Sequence, residues 1–244
     1  MADRSRVPGL ADARPGLRRR RRRARWRRVR PVVLAGVGLG LAVVLAVVVW
    51  FTPVFSVREV RIEGTRLLTS AQVESQARVP VGQPLAQVRL QQISDRVATL
   101  PEVESVSTTR RWPSAVQVVV TERTARVQRI NGSTYQWVDG SGVVFHTQTQ
   151  RDPRLVVVNT TDTDRRLLGD LATVAQSLTP RLRSEVTGMK AQSPDTITVV
   201  LRGGRSVVWG SAEESATKAQ VATALLQVKA TVYDVSSPAN PTSR

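Results

Sequence analysis

The chain has 244 residues, no cysteine and a formal net charge of +17 at pH 7. The missing cysteines exclude disulfides and thiolate metal sites, and a single histidine excludes a histidine metal cluster. The charge resembles that of a nucleic-acid binder only in bulk. Residues 1–30 carry thirteen arginines against Asp3 and Asp12, a net +11, which leaves +6 for the other 214 residues.

Residues 1–31 therefore read as a basic tail outside the folded part, unstructured and topogenic. Its charge is concentrated in Arg18, Arg19, Arg20, Arg21, Arg22, Arg23, Arg25, Arg27, Arg28 and Arg30. Such a tract can bind anionic lipid or nucleic acid. Its place beside an apolar segment favours lipid and a role in setting membrane orientation over nucleic acid. From Val32 to Phe51 there are twenty residues without a charge. A helix of that length spans roughly 30 Å, the hydrocarbon thickness of a bilayer. Trp50 and Phe51 sit at its far end, where aromatic residues favour the interface. Basic flanks stay inside, so the expectation is a single-pass type II protein of the bacterial cell (inner) membrane. Its N-terminus is cytoplasmic and residues 54–244 are translocated. A cleaved signal peptide fits less well, because the charged and apolar stretches are long and no small-x-small site follows. Gly36 and Gly40 have the spacing of a helix-dimer face, a spacing that chance also produces.

Residues 54–123 read as a first folded unit. Val60 and Ile62 alternate with Arg61 and Glu63 in a strand beginning near Phe55 and ended by Gly64. Thr69 and Gln72 form a capping box for a helix, with Leu68 and Val73 at the staple positions. Leu90, Ile93, Val97 and Leu100 make one apolar stripe of a second helix, stopped by Pro101. Val103–Arg111 and Ala115–Glu122 read as paired strands around Trp112-Pro113. The order β-α-α-β-β places two helices on a small sheet, an α+β unit.

This unit, directly after a membrane anchor, resembles a POTRA (polypeptide-transport-associated) domain. The run from Leu100 to Arg123 is similar to one bacterial family, the cell division proteins FtsQ/DivIB. Its most specific pieces are Arg110, Arg111, Trp112 and Pro113, with Glu122 and Arg123 closing the line. The family usually has a proline two residues after that last basic residue, where this chain has Ala125. Arginine outnumbers lysine 33 to 3, which fits a GC-rich, actinobacterial member of the family.

Residues 124–236 read as a second, mixed and β-rich unit ending in a helix and an edge strand. Asn131-Gly132 and Asp139-Gly140 are hairpin signals separating Arg126–Ile130, Thr134–Val138 and Val143–Phe145. A helix is expected over Asp170–Leu178, then a hairpin of Thr196–Leu201 and Ser206–Trp209 around Gly203-Gly204. A capping box at Ser211–Glu214 opens a last helix with Val221, Leu225 and Val228 on one face. Residues 231–236 form a final strand, and residues 237–244 a flexible end. Residues 150–194 carry no motif. The region resembles the β domain that follows POTRA in FtsQ/DivIB proteins, through Trp137–Val143, Val207–Gly210 and Tyr233-Asp234-Val235.

Nothing in the sequence asks for a cofactor or a metal, and no catalytic constellation is legible. The single histidine, His146, would have to recruit an unidentifiable serine to make a triad. The expectation is therefore not an enzyme but a protein acting through surfaces, since an exposed strand edge is a template for another chain. The resemblance implies a divisome scaffold at the septum, linking cytoplasmic and extracytoplasmic division proteins and regulating septal peptidoglycan synthesis. Its partners would be FtsB/DivIC-like and FtsL-like membrane proteins, with no small-molecule substrate. It also implies strand pairing near the last strand of the β domain. The matching residues here are Val232, Tyr233, Asp234, Val235 and Ser236, with Tyr233 either anchoring a partner or filling the core. The alternative is a POTRA-containing translocation or chaperone-like envelope accessory, for which a following barrel or repeated POTRA units would be expected.

Overall fold

The computed structural model describes residues 15–51 and 55–244, except for the side chains of residues 15–29 and 49–51. Arg4, Arg6 and Arg14, and the side chains of Arg18 to Arg28, thus lie outside the described residues. Helix α1 runs Pro15–Phe51. The basic tract expected to be unstructured is helical and continuous with the apolar stretch, as arginine's good helix propensity allows. Within α1, Arg30–Val48 is long and apolar enough to cross a membrane, and none of it is buried against the protein. Val32, Leu34, Leu39, Leu41 and Leu45 are each more than half exposed, which a bilayer would cover and water would not tolerate.

The first globular elements are β1 (Glu59–Glu63), α2 (Ser70–Ala77), a 3-10 turn at Leu85–Gln87, α3 (Leu90–Val97), β2 (Val103–Arg111) and β3 (Ala115–Glu122). The strands form a three-stranded sheet in the order β1-β3-β2. Strand β1 starts later than its sequence pattern suggests: before it the chain makes an isolated bridge from Ser56 to Pro84, and the Arg58 amide donates to the Ser114 carbonyl at 2.8 Å. The capping box of α2 is formed: Thr69 Oγ1 accepts the Gln72 amide at 3.2 Å, and Gln72 Oε1 accepts the Thr69 amide at 2.8 Å. Of the expected α3 stripe, Ile93 and Val97 are buried while Leu90 and Leu100 are half-buried. Arg96 joins the helices by donating through Nε and Nη2 to the Ala77 carbonyl at 2.9 and 2.7 Å.

The remaining elements are β4 (Val127–Asn131), β5 (Thr134–Val138), β6 (Val144–Gln148), β7 (Val156–Asn159), α4 (Arg165–Ser177), α5 (Pro180–Glu185), β8 (Val186–Lys190), β9 (Ile197–Leu201), β10 (Ser206–Gly210), α6 (Ser215–Leu225), β11 (Val232–Asp234) and β12 (Thr242–Ser243). Among the described residues they form a nine-stranded sheet in the order β12-β11-β10-β9-β8-β7-β4-β5-β6. Strands β4, β5 and β6 are the antiparallel meander that the two hairpin signals predict. The motif-free stretch 150–194 holds a parallel β-α-α-β crossover, with β7 parallel to both β4 and β8. Pro180 opens α5 at a position where a missing N–H costs nothing. The core joins α4, α5 and α6 to the sheet through Leu167, Leu168, Leu171, Leu182, Ala219 and Trp209.

Two expectations for the end of the chain are corrected. Glu214 adopts a left-handed backbone (φ 51°) with no side-chain cap, so α6 starts at Ser215 and the capping box at Ser211 does not form. Ser215 Oγ is drawn inward instead, accepting from Trp209 Nε1 at 3.1 Å and donating to the Ala212 carbonyl at 2.7 Å. The buried face of α6 is accordingly Ser215, Lys218, Ala219 and Ala222, with Val221 and Leu225 at its margin and Val228 exposed. Residues 237–244 do not run loose, because β12 pairs antiparallel with β11.

By compactness the chain divides into two units. One comprises the chain up to Glu59 with Pro80–Val88 and Arg110–Val116; the other comprises Val60–Val79, Arg89–Thr109 and Gln117–Arg244.

Candidate partner-binding edge

Strand β11 reaches its position through a crossover. Strand β10 ends at Gly210, α6 returns over the sheet, and β11 adds parallel to β10 with Val207 beside Tyr233 and Val208 beside Asp234. Parallel strands need such a helical return. The pleat then sorts the side chains. Tyr233 and Val235 are buried, Val232 and Asp234 are half-buried, and Ser236 is exposed. The Tyr233 hydroxyl donates to the Val228 carbonyl at 2.9 Å, so the ring and its polar end are both satisfied within the chain. Of the two roles open to Tyr233, the core one is the position it takes in this structure. Asp234 folds back locally, accepting the Ser236 amide at 2.9 Å and the Ser236 hydroxyl at 2.6 Å.

The outer edge of β11 carries β12. Tyr233 lies opposite Ser243, and Asp234 opposite Thr242. Arg244 and Val232 exchange backbone hydrogen bonds, 3.0 Å from the Arg244 amide and 2.9 Å to its carbonyl. That carbonyl also accepts from the Thr231 amide at 2.9 Å. The side chains of Thr242, Ser243 and Arg244 are all exposed, so the segment pairs through its backbone, to which the Thr231 hydroxyl adds a bond on the Arg244 carbonyl at 3.2 Å.

The motif residues at the close of the first globular elements hold the fold. Glu122 accepts three consecutive amides, from Arg66 and Leu68 at Oε1 (both 2.9 Å) and from Leu67 at Oε2 (2.8 Å). Burial alone would raise its pKa, but these amide bonds, with Arg66 nearby, hold it below the usual value. Arg110 donates through Nε to the Leu85 carbonyl at 2.9 Å and through Nη2 to that of Val88 at 2.7 Å, pinning the 3-10 turn. Trp112 is half exposed and meets Phe55 edge-on at 5.8 Å, and the Trp112-Pro113 bond is cis. Arg111 is exposed.

Arg123 donates to the Pro101 carbonyl at 3.1 Å and to Asp139 Oδ2 at 2.6 Å. Asp139 organises the turn before β6, its Oδ1 accepting the amides of Ser141 and Val143 and the Ser141 hydroxyl. Burial would raise the Asp139 pKa, but the bonds from Val143, Arg123 and Ser141 keep it lowered. One staple had no sequence signal. Gln128, fully buried, donates to the Asp152 and Leu155 carbonyls and accepts the Asp152 amide at 3.0 Å.

Among the described residues no group of three or more His, Cys, Asp or Glu is placed to hold a metal ion. His146 lies 3.7 Å from Glu102 and against the Trp137 ring at 5.0 Å. Open clefts include one of about 500 Å³ around Asn159, Thr160, Lys190 and Thr196, and one of about 890 Å³ around Arg66, Glu122, Trp137 and Arg154.

A family description of a POTRA domain, FtsQ-type, matches residues 55–123, and one of the C-terminal region of cell division protein FtsQ/DivIB matches residues 125–236. The chain is 37% identical over 216 residues to cell division protein FtsQ of Mycobacterium tuberculosis, covering 86% of this chain and 66% of that protein. It is 37% identical to the Streptomyces venezuelae FtsQ over 202 residues, covering 78% of this chain and 74% of that one. With the Streptomyces collinus FtsQ the match runs 241 residues at 34% identity, covering 90% and 91%. The mycobacterial match thus takes in a little under two thirds of that relative's length. Similarity to the solved major extracytoplasmic domain of DivIB from Geobacillus stearothermophilus is slight, at 12% identity and TM-score 0.35, over 43% of this chain and 93% of that one. The two matched regions cover most of the sequence, and the chain belongs to the FtsQ/DivIB family of cell division proteins.

Proposed function

We propose that the chain is a non-catalytic scaffold of the bacterial division machinery, anchored by α1 with its N-terminus in the cytoplasm and its globular part outside the membrane. It acts at the septum by holding FtsB/DivIC-like and FtsL-like membrane proteins, and through them it regulates septal wall synthesis. The observation that carries this reading is the β11 edge. Near one end of the nine-stranded sheet the three-residue β11 turns its backbone groups at Val232 and Asp234 outward, where they meet only the short segment Thr242–Arg244. Such an edge recognises a polypeptide by main-chain pairing, with side chains on alternate positions supplying selectivity. With Tyr233 in the core, that selectivity falls to Val232, Asp234 and Ser236. The uncovered apolar span of α1 supports the anchor, and the basic flank on its N-terminal side supports the orientation.

The test is an N-terminal fluorescent fusion followed in dividing cells, with and without Val232→Pro, which removes one outward-facing amide donor from the edge. A midcell band from the unsubstituted fusion supports the divisome role. Its weakening by Val232→Pro, at normal expression, places the partner on this edge. Uniform envelope fluorescence from the unsubstituted fusion sinks the proposal.

A further inference from the structure

Segment 242–244 occupies the very backbone groups that a partner strand would use. We propose that it is a built-in mask of the β11 edge, which a pairing strand must displace to take the register now held by Thr242–Arg244. This inference rests on the partner-binding reading of that edge.

Three observations carry it. First, the geometry of occupancy is that of strand addition: Arg244 and Val232 exchange both backbone bonds, Ser243 lies opposite Tyr233, and Thr242 lies opposite Asp234. Second, the occupant is held by little else. Residues 239–244 are all exposed, so no apolar burial fastens them. Tyr233 and Val235, by contrast, are sunk in the core and stay in place when the segment leaves. Third, the tether is short and turned back on itself. The Asn240 amide donates to the Ser237 carbonyl at 3.1 Å, with Pro238 at the second position of that turn. A short turn returns the segment to the edge at high effective concentration.

Displacement is an exchange of like for like. A partner strand replaces each lost backbone bond with its equivalent, then adds contacts beside Val232 and Asp234 that Thr242–Arg244 do not make. The mask therefore cannot exclude a partner that brings side-chain contacts, but it does disfavour sequences that offer only backbone. It also keeps an unpaired edge from recruiting a second copy of the chain before the partner arrives. The apparent affinity of the edge is the intrinsic affinity reduced by the fraction of molecules whose segment is undocked.

The chain has no native cysteine, so one engineered pair gives one possible crosslink. Asp234 and Thr242 face each other across an antiparallel pair, a separation of roughly 5.5 Å between Cα atoms that a disulfide spans. The full chain carrying Asp234→Cys and Thr242→Cys is placed in nanodiscs and titrated with the extracytoplasmic segment of the same organism's FtsB/DivIC-like protein. Oxidation is expected to weaken binding at least tenfold, and reduction to restore it. In parallel, Thr242→Pro with Arg244→Pro, which removes the segment's edge-facing amides, is expected to tighten binding by roughly tenfold. The same change should speed hydrogen exchange at Val232 while leaving Tyr233 protected. Failure of the proline pair to tighten binding overturns the mask and leaves the edge reading standing if locking and Val232→Pro each weaken it, whereas equal binding by the locked and reduced forms overturns both. Absence of binding by the unsubstituted chain and by every variant overturns the edge reading, and the mask with it.

Discussion

Arg123 and Asp139 form an ion pair of 2.6 Å that ties the residue just past β3 to the Asp-Gly turn between β5 and β6. The carboxylate side chain is only 9% exposed, and it also orders the amides of Ser141 and Val143. Replacing Arg123 with Ala leaves that carboxylate short of its charged partner. The expected loss is ~1–3 kcal/mol, between the values for surface and fully buried pairs. Urea denaturation of the full chain, read by tryptophan fluorescence, measures it.

The same carboxylate sets an acid limb. The folded-state pKa of Asp139 is depressed, so the stability it contributes is fully present above its unfolded value and is lost as pH falls through the folded one. Glu122, depressed by its three amide bonds, behaves alike. Stability should be flat near neutrality and decline below about pH 5, in the carboxylate range. Asp139→Asn should flatten that decline while lowering stability at pH 7. A denaturation midpoint series over pH, run on both proteins, is the check. Equal slopes would remove Asp139 from the account.

Glu122 serves three amides with two oxygens, an arrangement no neutral side chain reproduces. In Glu122→Gln one oxygen becomes an NH2 group facing an N–H donor, so at least one backbone amide loses its acceptor. The expected cost is ~1–3 kcal/mol. Thermal unfolding of the two proteins at pH 7 tests it, and a loss below the error of the measurement would mean that water replaces the carboxylate.

Gly142 sits at φ +80°, and a Cβ there would collide with the Arg165 carbonyl. Gly132, at φ +60°, has nothing within 4 Å of the same added atom. Gly132→Ala is therefore expected to cost ~1–2 kcal/mol, the left-handed backbone penalty alone. Gly142→Ala must cost clearly more, because the backbone at the start of α4 has to move as well. The paired comparison by chemical denaturation isolates the collision from the conformational term. Equal losses at the two sites would show that the turn relaxes.

Local chemistry was the legible part of this fold. The Thr69–Gln72 box and the Gly203-Gly204 turn are set by a few adjacent residues and stand where their patterns put them, while the hairpin signalled by Asn131-Gly132 turns one residue later, at Gly132-Ser133. What escaped depends on distant partners. Strand β7 is short and its Val156–Val158 are all buried within the parallel crossover, so they show no alternation to read. The Ser211–Glu214 box failed because burying Ser215 against Trp209 outweighs a surface cap. Strand β12 has no apolar pattern at all, since Thr242–Ser243 pairs through backbone groups common to every residue. The candidate edge was legible as a stretch of chain, but neither the burial of Tyr233 nor the occupancy of the edge could be read from it.

Tyr233 separates a core role from a surface one. Its ring is 1% exposed, and its hydroxyl is spent on the Val228 carbonyl. Tyr233→Phe removes only that bond and is expected to cost ~0.5–1.5 kcal/mol, whereas Tyr233→Ala empties a core site and should cost ~3–5 kcal/mol. Because the side chain faces away from the outer edge, Tyr233→Phe should leave partner affinity unchanged. Val232→Ala and Asp234→Ala, on the half-buried face, should weaken the partner with little effect on stability. Calorimetric titration beside denaturation curves for the three mild variants distinguishes the cases. A large affinity loss in Tyr233→Phe at near-native stability would mean that the hydroxyl leaves Val228 for the partner, and that the core position seen here belongs to the unbound chain only.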